Sequence, residues 1–320
     1  MMRERIHPGS FGLEIGPFCN PLVPREKDFR KINVDIVNRE ALQLLAMKSG
    51  RSDEIVEAIE EVDVVGDASR LAELLRTNGV NDPLNWIVSS HNFEHLPDPL
   101  RFLQDCGDLL TEDGHLMMVI PDQRYIMDRF HPHTTTAQVV RASAQPPDAE
   151  NDAWALFEHA SLRYHLRSAD GLSRLAWNAS IHADQSLVTN QPLANHYTKL
   201  QAQLTAGNFQ FTGHRWRFTP AVLELLIFDL SQLGLMRLQT VEVHPTQEFD
   251  FLVILQRGSG HPVPEPQAAA SRLALCCRIE DERAAASGLC REQRHRLKEQ
   301  ELEIERLRGL LTCSERDKKH

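Results

Sequence analysis

Gly12-Leu13-Glu14-Ile15-Gly16 is a short apolar run that ends on glycine, and a second run, Ile32-Asn33-Val34-Asp35-Ile36-Val37, carries an acid near its end. A third, Val62-Asp63-Val64-Val65, leads into Gly66-Asp67. The fourth, Trp86-Ile87-Val88, opens onto Ser89-Ser90-His91, and the fifth, from His115 to Ile120, stops at Pro121-Asp122. Amphipathic stretches separate them. Residues 38–47 read as a helix with Asn38 as N-cap and Ala41, Leu44 and Leu45 on one face. Leu71, Leu74 and Leu75 mark another, and Leu100, Leu103 and Leu110 a third that ends at the turn Glu112-Asp113-Gly114. Strands joined by helices of this length imply right-handed crossovers. They predict an α/β fold with a doubly wound, mostly parallel sheet covered by helices.

The pattern loosens over 124–213, where helices are expected only around 153–166 and 195–204, so this stretch reads as a helical insertion over one edge of the sheet. Regularity returns at Thr219-Pro220, a cap followed by proline at the first helical position. Leu223, Leu226, Ile227 and Leu230 continue that helix, and 238–244 with 249–256 predict an antiparallel closing pair. The expected organisation is therefore one domain over 1–257, a linker over 258–278 and a charged helix over 279–320. In that last segment Leu297, Ile304 and Leu311 recur at heptad spacing with Leu307 between them. Such a seam predicts pairing with a second copy of the chain or with another helix.

Composition narrows the class. Of 320 residues, 42% are apolar and 25% charged, which excludes wholesale disorder and fibrous chains. The 35 basic and 45 acidic residues give a net charge of −10, which argues against gripping nucleic acid or an anionic membrane. The N-terminus has no apolar stretch resembling a secretory signal. The apolar segment 221–230 contains Glu224 and Asp229 and is too short to span a bilayer. Six cysteines without a C-x-x-C pair read as reduced thiols, so a cytoplasmic location is expected.

A doubly wound sheet binds ligands outside the carboxyl ends of its strands, beside the first strand. Gly16 lets the backbone approach a ligand there. Asp35 can accept hydrogen bonds from vicinal ribose hydroxyls and Asp67 one from an adenine amino group. Two carboxylates around one nucleoside suit a neutral or cationic cofactor better than a phosphate-rich one. An NAD-dependent oxidoreductase is the weaker alternative, since no G-x-G-x-x-G is present to cradle a pyrophosphate.

With Leu13-Glu14-Ile15-Gly16-Pro17, Val34-Asp35, Val65-Gly66-Asp67-Ala68, the string from Ser89 to Pro99 (SSHNFEHLPDP) and Leu109 to Leu116, the chain resembles the class I S-adenosylmethionine-dependent methyltransferases. More narrowly it is similar to type 11-like members often associated with bacterial cell-surface glycan assembly. The likeness spans roughly 10–257 and is loose between Thr136 and Gly213. It implies a seven-stranded, Rossmann-like sheet and S-adenosyl-L-methionine as cofactor. It places Glu14, Gly16 and Pro17 at the methionine end, Asp35 and Ile36 at the ribose, Asp67 and Ala68 at the adenine, and Ser90 and His91 along the cofactor. One departure stands out: a single glycine is followed by Pro17-Phe18-Cys19-Asn20-Pro21, and a short irregular segment over 21–29 replaces the first helix.

His91, Glu94 and His95 occupy the positions of a metal-binding E-x-x-E-H string in related ubiquinone-type enzymes, with the first acid missing. The preferred reading is that Glu94 caps the next helix and His95 packs beneath it, with no metal. His95, His133 and His214 remain the candidates for a catalytic proton acceptor, since a histidine titrates near neutrality. Trp154, Trp177 and Trp216 either line an acceptor pocket or pack the insertion, and packing is the preferred reading. The expected partner is a small-molecule or glycan acceptor, a sugar or nucleotide sugar methylated at a hydroxyl or amine. The competing reading is an inactive methyltransferase-like scaffold held in a glycan-assembly complex.

Overall fold

The structure is a computed structural model and describes residues 3–25, 30–145, 148–167, 173–176, 187–189, 191–258 and 262–286. In chain order the strands begin with β1 (Phe11–Ile15), β2 (Arg30–Asp35), β3 (Val64–Val65), β4 (Leu84–Ser90) and β5 (Leu110–Pro121). Three short ones follow, β6 (His165–Arg167), β7 (Ser173–Arg174) and β8 (Leu187–Val188), then β9 (Leu238–Val243) and β10 (Asp250–Arg257). The helices are α1 (Arg39–Lys48), α2 (Asp53–Glu57), α3 (Leu71–Thr77), α4 (Pro99–Leu109) and α5 (Thr136–Ala144). They continue with α6 (Ala149–Ser161), α7 (Leu193–Ala206), α8 (Pro220–Gln232) and α9 (Gln267–Ala286).

Seven strands form one sheet in the order β3-β2-β1-β4-β5-β10-β9. The first five run parallel, and β10 lies antiparallel between β5 and β9. This is the mostly parallel, doubly wound sheet that the alternation of runs predicts. The order reverses at β1, between β2 and β4, so a ligand crevice is expected at that edge. The helix starts follow from local chemistry. Asn38 Oδ1 accepts the Ala41 N–H at 3.1 Å, Asp98 Oδ1 accepts that of Arg101 at 3.0 Å, and Thr219 precedes Pro220 at the first turn of α8.

Strand alternation divides the interior. Leu13, Ile87, Leu116, Met118 and Val253 point to the main core, where they meet Leu71, Leu75, Leu103, Leu226 and Leu230 of α3, α4 and α8. Trp86, Val88, Met117 and Ile254 point the other way and meet Ile6 and Val23. That second patch is covered by the N-terminal turn and by the segment after β1, which over the described residues 17–25 is irregular, as the sequence predicts in place of a first helix.

Four expectations need correction. The buried residues of α1 are Leu42 and Ala46, one helical turn apart, while Leu44 and Leu45 are exposed. Residues 112–114 form no chain-reversing turn; they lie inside β5, where its register with β4 shifts. The insertion carries α5 and the small sheet β7-β6-β8 as well as the two expected helices. Finally, 258–278 is not a linker throughout, because α9 docks along α8. Arg272 Nε lies 2.9 Å from Asp229, Arg278 Nη1 2.7 Å from Glu224, and Glu282 accepts the Ala221 N–H at 3.2 Å. The heptad seam at Leu297, Ile304, Leu307 and Leu311 lies outside the described residues, as does Trp177. Among the described residues no helix is long and apolar enough to cross a membrane.

Candidate active site

Ile15 pairs with both Val34 and Ser89, and Asp35 pairs with Val65. The register therefore brings Gly16, Asp35, Gly66-Asp67 and Ser90-His91 level along one edge of the sheet. Gly16 has φ of 66°, in the left-handed region, and its N–H is held by the Val34 carbonyl at 2.9 Å. A methyl group added there would meet only the Ser90 carbonyl oxygen, at 4.0 Å. The glycine is demanded by conformation, and the space beside it is open. Phe18 (φ 38°) and His91 (φ 48°) adopt the same region at the same edge. For residues with a Cβ this costs on the order of 1–2 kcal/mol each.

Asp35 accepts the Ile36 N–H at 2.7 Å, and no cation pairs with it among the described residues. Burial raises its pKa against the opposing pull of the Ile36 and Val37 amides. Ile36, 72% exposed, and Val65, half exposed, offer apolar surface next to it. Asp67 spends Oδ1 on the Ser69 N–H at 2.8 Å. A carboxylate without a cation, exposed apolar surface and an open glycine fit a nucleoside such as that of S-adenosylmethionine. Among the described residues no lysine or arginine pairs with Asp35 or Asp67.

Three expected contacts are turned inward. Glu14 is buried; its carboxylate accepts the Leu22 N–H at 2.6 Å and the Val23 N–H at 3.3 Å, and pairs with Lys31 Nζ at 2.7 Å. It braces the segment behind Gly16 and has no oxygen facing the edge. Pro17 is buried, and its carbonyl closes a turn onto the Asn20 N–H at 3.0 Å. Ala68 packs into the main core. Ser90 is half-buried at the edge. The side chain of His91 bridges Asp250 Oδ2 at 3.1 Å and Glu94 Oε1 at 3.5 Å. Burial opposes its charge, but these two carboxylates outweigh it and raise the pKa to about 10.

From His91 the chain runs into a histidine-rich floor beneath the insertion. Glu94 does not cap α4; Asp98 does. Instead the Glu94 carbonyl accepts the Arg215 and Trp216 N–H groups at 2.8 and 3.1 Å, which fixes the two segments together. His95 lies with its ring 4.8 Å from that of His214, edge to face. Asp128, which sequence reading missed, is the hub: buried, it accepts His214 Nδ1 at 2.5 Å and lies 3.6 Å from both His131 and His159. No local pattern marks Asp128, because its closest partner, His214, lies 86 residues away. His133 donates from Nδ1 to Gln123 Oε1 at 2.8 Å, while Gln123 Nε2 donates to the His131 carbonyl at 2.6 Å and so fixes the amide. That tautomer leaves His133 Nε2 as a lone pair with no hydrogen-bond partner, and burial lowers its pKa. A cavity of roughly 310 Å³ opens here, lined among others by His133, Gln138, Arg141, His214, Arg215 and Arg217. Trp216 is packed, donating Nε1–H to the Leu96 carbonyl at 2.7 Å, and Trp154 is exposed.

His159 makes the floor acid-sensitive. Burial lowers its pKa from 6.5 to about 3, so the folded chain holds it neutral while the unfolded chain protonates it. The stability from this neutral ring is complete above pH 6.5. It declines by about 1.4 kcal/mol per pH unit as pH falls from there toward 3. Urea unfolding at pH 7, 6 and 5 should show this slope in wild type and a flatter one in His159→Phe; identical slopes would place the acid sensitivity elsewhere.

No curated protein matches the chain. Among solved structures, it is similar to a SAM-dependent methyltransferase from Methanosarcina mazei, with 15% identity over 80% of this chain and 96% of that one, at a TM-score of 0.39. Magnesium protoporphyrin IX methyltransferase from Synechocystis PCC 6803, solved with bound SAH, shares 9% identity over 80% and 78% of the two chains, at 0.36. Mitomycin 7-O-methyltransferase shares 11% identity over 78% of this chain, at 0.34, and this chain spans about half (49%) of its length. The family model of the methyltransferase domain matches residues 10–180. With the sheet order, that match makes the chain a member of the methyltransferase-domain family, a class I enzyme whose cofactor is S-adenosyl-L-methionine.

Proposed function

We propose that the chain methylates a hydroxyl or amine of a small anionic acceptor, such as a nucleotide sugar, seated in the cavity beside His133. The observation that carries this reading is the state of His133: neutral, held in one tautomer by Gln123, with a buried and unpartnered Nε2, in a residue that lines a cavity also carrying Arg141, Arg215 and Arg217. Gly16, Asp35, Ile36, Asp67, Ser90 and His91 would hold the cofactor along the strand edge. The bound cofactor supplies an activated sulfonium methyl, so the protein's part is alignment and removal of one proton. His133 Nε2 takes that proton from the attacking acceptor atom while Nδ1–H stays on Gln123. The arginines suit a phosphate or carboxylate on the acceptor, which favours a nucleotide sugar over a free sugar.

The test is transfer of labelled methyl from S-adenosylmethionine to matched sugars and nucleotide sugars. For the accepted class, His133→Ala should lower kcat by about 100-fold with cofactor affinity unchanged. Arg141→Ala should raise KM. Full turnover in His133→Ala would remove it as the base, and equal use of neutral sugars would remove the anionic subsite.

A further inference from the structure

We propose that Glu94, His95 and His214 form a binding site for one divalent transition-metal ion of the zinc class. Each offers a ligand atom, and the three atoms lie within 4.8 Å of one another. Glu94 Oε1 stands 3.8 Å from His95 Nε2. Tetrahedral ligands at 2.0–2.2 Å from zinc are roughly 3.3–3.6 Å apart, so small side-chain rotations close the set.

Three observations aim these groups at an ion. Glu94 is 1% exposed, and neither carboxylate oxygen has a hydrogen-bond partner among the described residues. The His91 imidazolium, shared with Asp250, stands 3.5 Å from Oε1 without hydrogen-bond geometry, and Oε2 has no partner among the described residues. One shared cation meets this buried carboxylate only in part, and a metal ion would offset the rest of a desolvation cost of several kcal/mol. Both imidazoles are also oriented as ligands are. His95 donates Nδ1–H to the Thr212 carbonyl at 2.9 Å and His214 donates Nδ1–H to Asp128 at 2.5 Å, which leaves Nε2 as the lone pair of each ring. The Asp128–His214 contact is the carboxylate–histidine arrangement that sets tautomer and basicity behind metal ligands. Third, the frame is rigid, since the Glu94 carbonyl is tied to Arg215 and Trp216, and the Trp216 indole to Leu96.

Two imidazoles and one carboxylate with no thiolate suit zinc or a similar divalent ion. Because His214 lines the acceptor cavity, the open coordination position takes water or an acceptor oxygen. The neighbouring group Asp128, His131 and His159 is a poorer candidate. Both His131 nitrogens lie against backbone carbonyls, and the Arg217 guanidinium stands 4.0 Å from Asp128, where it already meets the charge.

The test of this site does not depend on methyl transfer and is read without cofactor or acceptor. The untagged full-length chain is stripped with a chelator, titrated with zinc in a calorimeter, and assayed for zinc per chain after dialysis. One zinc per chain is expected, with affinity at least tenfold weaker in His95→Ala and in His214→Ala and unchanged in His159→Ala. His95 is partly exposed, so His95→Ala decides the matter should His214→Ala fail to fold. A wild type that retains no zinc, or a His95→Ala that binds as wild type does, overturns the proposal.

Discussion

Lys31→Met is expected to remove about 3–5 kcal/mol of stability, the range for leaving one member of a buried ion pair without its partner. Lys31 Nζ lies 2.7 Å from Glu14, 2.8 Å from Glu60 and 2.5 Å from the Val23 carbonyl, and the Lys31 and Glu14 side chains are each 1% exposed. Methionine keeps most of the volume, so the loss reports charge and hydrogen bonding with little cavity. Glu14 would retain the Leu22 and Val23 amides but no cation. The segment it braces begins directly after Gly16, so cofactor affinity should fall together with stability. The double variant Glu14→Gln, Lys31→Met should recover much of the loss, because removing both charges lifts the desolvation penalty along with the attraction. Urea unfolding of the three proteins measures this; a single variant within 1 kcal/mol of wild type would show that Glu14 finds its compensation elsewhere.

Asp128→Ala should cost a comparable 3–5 kcal/mol. Its carboxylate meets His214 at 2.5 Å and stands 4.0 Å from Arg217, which is itself 7% exposed. Burial pushes the Asp128 pKa up, but His214, Arg217 and His159 outweigh it and hold the group below the usual carboxylate range. The sign follows: its contribution is present above the ordinary carboxylate pKa and is lost as pH falls below it. Without the charge, Arg217 keeps the Arg215 carbonyl at 3.0 Å and, as its one carboxylate among the described residues, the exposed Glu158 at 3.6 Å, and His214 is free to turn. Asp128→Asn, which keeps an acceptor for His214 and loses the charge, should fall between alanine and wild type. Equal stability of all three would show that the buried arginine does not depend on Asp128.

How much of this was legible depends on how local the cause is. The five parallel strands, the closing pair and the caps at Asn38 and Thr219 are written in neighbouring residues, and they appear where the sequence places them. Helix α9 was not legible. It buries only Ala268, Leu275 and Ala286, too sparse for an apolar stripe, and docks through ion pairs to α8 whose partners lie 43 and 54 residues away. Glu14 shows the same limit inside the motif. An acid before Gly16 looks like a ligand contact until Lys31 fills the space behind it. The edge residues Gly16, Asp35 and Asp67 could be placed because each closes its own strand run. Asp128 could not, because the groups that give it meaning come from α6, the segment before α8 and its own turn.

The most direct measurement is calorimetric binding of S-adenosylmethionine to wild type and to Asp35→Ala. The nucleoside edge requires micromolar-range affinity in the wild type. On the proposed ribose contact, Asp35→Ala would delete charge-assisted hydrogen bonds, so binding should weaken by about 1.5–3 kcal/mol, roughly tenfold to 150-fold. Gly16 and the sheet stay intact in that variant, so a loss of affinity without a loss of stability isolates the contact. If the two proteins bind alike, or if the wild type binds neither S-adenosylmethionine nor its demethylated product, the cofactor does not lie along this edge.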